Sequence, residues 1–321
     1  MASEQSKLQA TFKSMDTEEW LDIHFTRPIG YVWALFFKRL HVHPNVVTIF
    51  SILLGMAAAV MFYFTDFWHN LAGVLLMIWA NIYDSTDGQL ARMTGQKTHW
   101  GRLLDGFAGD IWFFCIYVAI SLRLFNQPIP LTNIPWGVSI FALCIFAGTI
   151  CHARQSQLAD YYRNIHLYFS GADSELDTYL KQKALRDGTP KKGNFWWRIF
   201  LFFYVRYTRR QEKLTPEFQR LMQVIREKCG GEPGEDFRHA FREQSLPLMK
   251  YTNILTFNCR AIVLYAACLL NIPWLYPVAE ITLFSALYIY THRRHERMSR
   301  DFAESLDSNS QLQLHSRTSF L

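Results

Sequence analysis

Long apolar segments alternate with polar, mostly basic ones along the chain, and this alternation predicts an all-α integral membrane protein. Each of six apolar segments is close to the roughly 20 residues that a helix needs to cross the hydrocarbon of a bilayer. A long polar interval separates the fourth segment from the fifth. The six predicted transmembrane helices cover about 44–64, 67–83, 103–123, 134–153, 252–271 and 274–291.

An amphipathic segment precedes the first predicted span. Residues 15–40 mix aromatic side chains such as Trp20 and Trp33 with charged ones, which is typical of an interfacial helix lying on a membrane surface. A helix docked on the rest of the protein would show the same pattern. The predicted organisation is a disordered 1–14, the interfacial helix 15–40, spans one to four in 41–154, an insertion at 155–250, spans five and six in 251–292, and a tail at 293–321.

The insertion at 155–250 is expected to be helical and cytoplasmic. Its most aromatic part, 195–206, is too short and too charged to cross a bilayer, and its rings suit the headgroup level. Thr215-Pro216 predicts a helix cap and first turn, and Gly230-Gly231 predicts the end of that helix. The apolar positions between them indicate packing: Phe218, Leu221, Met222 and Ile225.

Composition and charge give the orientation of the predicted spans. Half of the residues are hydrophobic and 16% are aromatic, which is high for a soluble domain. Basic residues number five before the first span, three between the second and third, 18 in 154–250 and five after 291, while the opposite loops are nearly bare. The positive-inside rule therefore places both termini in the cytoplasm. The six cysteines show no metal-binding or disulfide spacing.

Four aspartates stand at the joint between the second and third apolar segments. Asp84 and Asp87 are three residues apart, so they share one face of a helix. A second helix that starts near Gly101 would bring Asp105 and Asp110 towards that pair. Clustered carboxylates near a bilayer require a cation, and all-oxygen ligands suit Mg²⁺, Mn²⁺ or Ca²⁺ rather than zinc.

Small and basic residues accompany these aspartates. Gly88 and Ala91 follow on the same helix face. Because glycine has no side chain and alanine only a methyl group, a bulky polar ligand can approach the backbone there. The connecting loop carries Arg92, Lys97 and Arg102. Carboxylates beside a basic loop indicate a diphosphate held through metal ions, and the orientation of the spans places it on the cytoplasmic side.

The spacing of these residues resembles the signature of the CDP-alcohol phosphotransferases, integral membrane enzymes of phospholipid synthesis. The residues that carry it are Asp84-x2-Asp87-Gly88-x2-Ala91-Arg92-x8-Gly101-x3-Asp105. The fourth aspartate of the family pattern corresponds to Gly109 here, and an aspartate follows one residue later, at Asp110. On a regular helix this shift turns the side chain by roughly 100°. A π-bulge, or a distortion of the helix at Gly106 and Gly109, would restore its direction.

The resemblance implies a reaction and a set of site residues. In this family an alcohol attacks the diphosphate of a CDP-linked substrate, and CMP leaves. Asp84, Asp87 and Asp105 would hold two divalent ions, Mg²⁺ or Mn²⁺, and Asp110 would join them and accept the proton of the acceptor hydroxyl. The other implied roles are Asn45 of the Pro44-Asn45-x2-Thr48 entry near the nucleotide, Gly88 and Ala91 making room for the cytidine, Arg92 stabilising the site or a phosphate, and Arg154 on an acceptor phosphate.

Polar residues near the later spans have two interpretations each. Arg154 ends the fourth span and would equally serve as an arginine reaching the membrane interface. Arg260 lies inside the fifth span, where a charge faces a cavity or a partner, and Glu280 in the sixth span is a candidate partner. The basic cluster at 292–297 is expected to anchor headgroups rather than to form a site.

These observations predict transfer of a phosphatidyl-type group from a CDP-diacylglycerol-like lipid to a small polar alcohol. The expected partners are the CDP-linked donor, the alcohol acceptor and membrane lipids, with no nucleic acid. The resemblance also implies a homodimer. Three alternatives stay open: a CDP-ethanolamine or CDP-choline type enzyme with a lipid alcohol as acceptor, a membrane transporter, and a catalytically silent relative.

Overall fold

The computed structural model describes residues 14–96, 99–171, 176–190 and 194–318, and these ranges are helical throughout apart from connecting turns. Within them, the side chains of residues 99, 100, 102, 103, 105 and 309–318 are outside the description. The only β-type pairing in the described ranges is a single bridge between Pro128 and Pro135. The predicted all-α class is therefore confirmed. Of the segment 1–14 that is predicted to be disordered, residues 1–13 fall outside the described residues.

Thirteen α-helices and three π-helical segments make up the described chain. The π segments are Asp22–Thr26, Phe146–His152 and Glu280–Phe284. The α-helices are α1 (Arg27–Arg39), α2 (Pro44–Tyr63), α3 (Phe67–Thr94), α4 (His99–Leu124), α5 (Val138–Ile145), α6 (Ala153–Phe169), α7 (Tyr179–Gly188), α8 (Phe195–Leu214), α9 (Pro216–Cys229), α10 (Glu235–Ile254), α11 (Phe257–Leu269), α12 (Leu275–Ala279) and α13 (Ser285–Thr318).

The helices form two compact units. The first unit runs as far as Gln155 and resumes over Thr256–Ser285. The second unit comprises Ser156–Leu255 and continues from Ala286. The predicted metal and nucleotide residues all belong to the first unit.

Within the described residues, four helical stretches are long and apolar enough to cross a membrane: Pro44–Tyr63, Gly106–Leu124, Val138–Phe169 and Glu235–Leu269. They overlap the predicted spans one, three, four and five. α3 is not among them because it carries His69, Asn70 and Asn81 beside its aspartates, which lowers its mean hydropathy. The stretch from α12 into α13 contains Glu280 and is also not among them. The arrangement with six spans stays a prediction.

The N-terminal segment is a helix docked on α3. Trp33 makes edge-to-face ring contacts with Trp79 and Tyr83 of α3. Other apolar side chains of α1 are not covered by the protein: Val32 is 65% and Phe36 47% exposed. Because α1 buries one aromatic face and leaves another uncovered, docking on the protein and contact with a membrane surface are compatible. The membrane contact stays a prediction.

Close approach of α2 and α4 fixes the core of the first unit. Trp112 of α4 donates its indole N–H to the carbonyl oxygen of Ser51 at 3.1 Å. Its ring lies over Gly55, where an added Cβ would come within 2.1 Å of the indole. Gly55 therefore permits this helix packing. Phe62, Met77 and Ile116 fill the same core and are fully buried.

The second unit has its own aromatic core. Phe218, Leu221 and Ile225 of α9 are buried in it, so their predicted packing role is confirmed. Pro216 opens α9, and Gly230 ends it with a left-handed φ of 67°. Thr215 occupies the N-cap position, as predicted, but its hydroxyl makes no capping bond to the backbone of α9: it donates to the carbonyl oxygen of Gln211 at 2.9 Å.

Candidate active site

The last three turns of α3 carry most of the predicted site. The helix is unbroken from Phe67 to Thr94 and ends where Gly95 takes a left-handed φ of 70°. Helical geometry therefore places Asp84, Asp87 and Ala91 along one side. Asp87 is only 4% exposed, whereas Asp84 and Ala91 are partly accessible.

A hydrogen bond from α2 holds the Asp87 carboxylate. The hydroxyl group of Thr48, one turn into α2, donates to Asp87 Oδ2. Thr48 is 2% exposed, so water does not compete for this bond. Pro44 starts α2 and supplies an alternative acceptor, its carbonyl oxygen, at 3.3 Å from the same hydroxyl. Because the hydroxyl has a single proton and the carboxylate is charged, the bond to Asp87 is the stronger one.

The side chain of Arg92 folds back over Gly88. A Cβ placed on Gly88 would lie 3.5 Å from both terminal nitrogens of the Arg92 guanidinium. The absence of a side chain at Gly88 therefore leaves room beside a positive charge, on the same helix as the two aspartates. An anionic group with a bulky neighbour fits such a surface.

The other two aspartates belong to α4. The side chain of Asp105 lies outside the described residues, as do Lys97 and the side chain of Arg102. α4 is α-helical from His99 to Leu124, so the suggested π-bulge near Gly109 does not form. On such a helix Gly109 points roughly 40° and Asp110 roughly 140° away from the direction of Asp105.

Asp110 lies on the outward face of α4. It is exposed and shares that face with Phe107, Phe114 and Val118, which are 39%, 69% and 38% exposed. The buried face of the same helix carries Ala108 and Trp112 instead. The structure thus brings Asp84 and Asp87 together on α3 but turns Asp110 outward.

The donor chemistry of the aspartates suits a divalent metal ion. Carboxylate oxygens on one helix face are the ligands that Mg²⁺ and Mn²⁺ prefer. Among the side chains that the structure describes, no group of three or more His, Cys, Asp or Glu residues is placed to hold a metal ion. Asp84 and Asp87 are two of the predicted ligands, and the side chain of Asp105, the third, is beyond that description.

The part of the chain that carries the aspartate motif matches a known protein family. Residues 41–165 match the family model described as CDP-alcohol phosphatidyltransferase. This segment is therefore similar to the CDP-alcohol phosphatidyltransferases. It contains α2, α3 and α4 with every residue of the aspartate motif, and the family resemblance inferred from the sequence is confirmed.

A curated relative matches part of the same chain. It is named as a CDP-diacylglycerol–glycerol-3-phosphate 3-phosphatidyltransferase of Cereibacter sphaeroides and is 38% identical over 79 residues. The match covers 24% of this chain and 36% of that relative. The chain thus spans about a third of the relative's length, and the similarity is limited to one segment of each protein.

Two further predicted residues lie at the edges of the family segment. Asn45 is partly accessible in the first turn of α2, and its backbone N–H donates to His43 Nδ1 at 3.2 Å. Arg154 is exposed near the start of α6. Asn45 therefore shares a helix with Thr48, and the accessibility of Arg154 suits both a ligand contact and an interfacial position.

A buried polar network, only partly anticipated from the sequence, surrounds Arg260. Arg260 is 1% exposed and pairs with the fully buried Glu280, as predicted. Its Nη2 also donates to Gln155 Oε1 at 2.9 Å. Its Nη1 lies 3.1 Å from His152 Nδ1. The same His152 Nδ1 lies 3.4 Å from Glu280 Oε1, so the imidazole, the guanidinium and the carboxylate meet at one point.

Proposed function

We propose that this protein transfers a phosphatidyl-type group from a CDP-linked lipid to a small polar alcohol and releases CMP. The observation that carries the proposal is the face of α3 on which Asp84 and Asp87 accompany Gly88 and Arg92, inside the segment that matches the family. The name of the Cereibacter sphaeroides relative supports a CDP-diacylglycerol donor. We further propose a membrane-embedded homodimer with its site on the cytoplasmic side.

The residues of the proposed site have separate tasks. Asp84, Asp87 and Asp105, with Asp110, would hold two divalent ions, Mg²⁺ or Mn²⁺, which would offset charge on the diphosphate. Thr48 fixes the direction of the Asp87 carboxylate. The nucleotide and phosphates would be bound by the remaining residues, namely Asn45, Gly88, Ala91, Arg92 and Arg154.

The position of Asp110, the proposed base, determines the side from which the acceptor would approach. It faces outward with Phe107 and Phe114, so an acceptor that loses its hydroxyl proton to Asp110 approaches from the exposed face of α4. A general base must lie within hydrogen-bond reach of the proton that it removes. An aspartate at position 109 would instead point close to the direction of Asp105.

The test is metal-dependent CMP release by the purified chain. CDP-diacylglycerol and CDP-ethanolamine are offered in parallel, the first with glycerol phosphate, inositol phosphate, inositol or serine, the second with diacylglycerol. Asp87→Asn is expected to abolish release because it removes a metal ligand. Asp301→Asn is the matched control, since Asp301 is an exposed carboxylate in the second unit.

Variants of Asp110 test its proposed role as the general base. We expect Asp110→Asn to reduce turnover by at least about 100-fold, the contribution of a general base. Full activity in Asp110→Asn would exclude Asp110 as the base. Recovery of lost activity on adding Gly109→Asp would show that a carboxylate at position 109 can serve as the base. Release from CDP-ethanolamine alone would reverse the assignment of donor and acceptor. No release from any pair would leave a catalytically silent relative.

A further inference from the structure

One side of α13 changes from apolar to cationic within a few turns. A groove of about 410 Å³ follows this side and is lined by Ala286, Ile289, Tyr290, Arg293, Arg294 and Arg297. These positions recur at helical spacing, so they form one continuous stripe. From Ile289 to Arg297 the stripe extends about 12 Å along the helix. All of it lies in the second unit.

The arginines of the stripe are available for a ligand. Arg293, Arg294 and Arg297 are exposed, and no hydrogen bond or ion pair joins them to another residue in the described ranges. Three guanidinium groups on two successive turns repel one another, so an anion between them lowers the free energy of the cluster. The planar fork of each guanidinium suits phosphate oxygens.

The apolar half of the stripe limits which anion fits. Ile289 is 46% and Tyr290 44% exposed, directly N-terminal to the arginines. Tyr290 packs edge-to-face on Tyr251 at 5.3 Å, and Lys250 lies over the Tyr251 ring at 4.9 Å. Aromatic rings between an apolar surface and basic side chains are typical of the membrane interface. A free phosphate would use only the cationic half.

A second cavity adjoins the same arginines. It measures about 290 Å³ and is lined by Glu217, His292, Arg293, Glu296, Arg297 and Arg300. The backbone N–H of Glu217 donates to Glu296 Oε2 at 2.9 Å. The Glu296 carboxylate beside Arg293 and Arg297 weakens the local positive potential, so its removal strengthens binding of an anion in the groove.

We propose that the groove on α13 binds an anionic phospholipid, with its phosphate on Arg293, Arg294 and Arg297 and its chain along Tyr290, Ile289 and Ala286. The order of groups along the stripe matches the order of groups in the lipid: acyl chain, interface, phosphate. This site requires none of the residues of the proposed catalytic centre.

Binding is measured on the full chain in detergent with short-chain lipids, by native mass spectrometry and by thermophoresis. The probes are dioctanoyl phosphatidic acid, dioctanoyl phosphatidylcholine and inorganic phosphate. We expect phosphatidic acid to bind more tightly than either of the others, because only it combines a phosphate of uncompensated charge with acyl chains.

Variants assign the binding to the groove. Replacing Arg293, Arg294 and Arg297 by Gln is expected to weaken phosphatidic acid binding by about tenfold or more, equivalent to the loss of about 1.4 kcal/mol. The control replaces Lys183, Lys213 and Arg226 by Gln, which removes the same charge from exposed positions outside both cavities. It is expected to change binding less than about twofold.

Two single variants separate the halves of the site. Ile289→Thr is expected to weaken lipid binding and leave phosphate binding unchanged, and Glu296→Gln is expected to strengthen both. Equal losses in the two triple variants would show a non-specific charge effect and overturn the proposal. Phosphate that binds as tightly as phosphatidic acid, with Ile289→Thr inert, would overturn it in favour of a free phosphate site. Monodisperse elution of each variant confirms that it folds.

Discussion

The contact between Thr48 and Asp87 joins two helices at the proposed metal site. Both side chains are almost completely buried, at 2% and 4% exposure. A buried carboxylate that accepts a hydrogen bond is held in one orientation, and partners behind metal ligands tune metal affinity in this way. Thr48 would therefore act on the proposed metal site through Asp87, as a positioning residue.

Thr48→Val tests this role at nearly constant volume. Loss of the hydroxyl frees Asp87 to turn, and we expect the apparent Mn²⁺ affinity, read from the metal dependence of CMP release, to fall by about 10–100-fold. Thr48→Ser retains the hydroxyl and is expected to retain the affinity. Equal effects of both changes would mean that packing of the methyl group matters and the hydrogen bond does not.

The spacing of the motif predicted which residues share α3, but it did not predict their partners. Asp84, Asp87 and Gly88 are close in sequence, so helical periodicity is sufficient to place them on one side. Thr48 precedes Asp87 by 39 residues, and that contact depends on how α2 packs on α3. The outward direction of Asp110, in contrast, does not depend on helix packing. It follows from helical periodicity alone, because α4 is an uninterrupted α-helix.

Two of the π-helical segments supply residues to the buried Arg260 network. His152 ends one segment and Glu280 begins another. π-helical turns occur often at functional sites, where an additional residue changes the direction of a side chain. In this protein they bring an imidazole and a carboxylate to one guanidinium. Glu280 is fully buried, and an unpaired charge in such a position is costly.

A double-mutant cycle measures the interaction of Arg260 with Glu280. Arg260→Met or Glu280→Met alone leaves one buried charge without its partner, and each is expected to cost about 3–5 kcal/mol. The double variant removes both charges and is expected to be more stable than either single variant. Unfolding in detergent by a mixed-micelle titration reports the three free energies. Additive losses in the double variant would mean that the two residues do not interact.

Glu296 gives the second unit a pH-dependent stability. Burial raises the pKa of this carboxyl from 4.5 to about 7. Between pH 4.5 and 7 the folded protein therefore binds more protons than the unfolded chain, so the contribution to the free energy of unfolding decreases as the pH rises through that window. Above pH 7 the charged, partly buried form carries the full cost.

Glu296→Gln removes this ionisation and keeps an oxygen that accepts the bond from Glu217. We expect the variant to have a higher Tm than the parent protein at pH 8 and nearly the same Tm at pH 5. Thermal unfolding across this range, followed by intrinsic fluorescence in detergent, gives the comparison. A Tm difference independent of pH would show that the carboxylate charge is not the cause.

The arrangement of the whole molecule in a membrane is open to direct test. The predicted topology places the 125–137 loop opposite the cytoplasmic insertion. In a background without the six native cysteines, Thr132→Cys and Glu232→Cys introduce thiols at exposed positions. An impermeant maleimide is expected to label Thr132→Cys from the outside and Glu232→Cys only after permeabilisation. Labelling of both from one side would exclude six spans.

The hydropathy of the sequence was sufficient to predict a membrane protein, but it was not sufficient to determine the number of spans. Four helical stretches satisfy length and composition alone, while α3 combines apolar residues with the aspartates of the site. A helix that serves both the bilayer and a polar ligand reduces the apolar signal by which spans are recognised. The second unit was even less accessible to prediction, since its core joins 158–169 with α9, α10 and α13 across long sequence separations.

The outward carboxylate of Asp110 has a consequence for the bilayer itself. To keep Asp110 hydrated, the lipid headgroups would have to reach its level, and the apolar part of α4 before Arg123 would then extend only from Ile111 to Leu122, about 18 Å. The hydrocarbon of a typical bilayer is about 30 Å thick. This hydrophobic mismatch would thin the membrane beside α4. Lipids would then be compressed next to the aspartates, where the proposed lipid-linked donor would present its diphosphate.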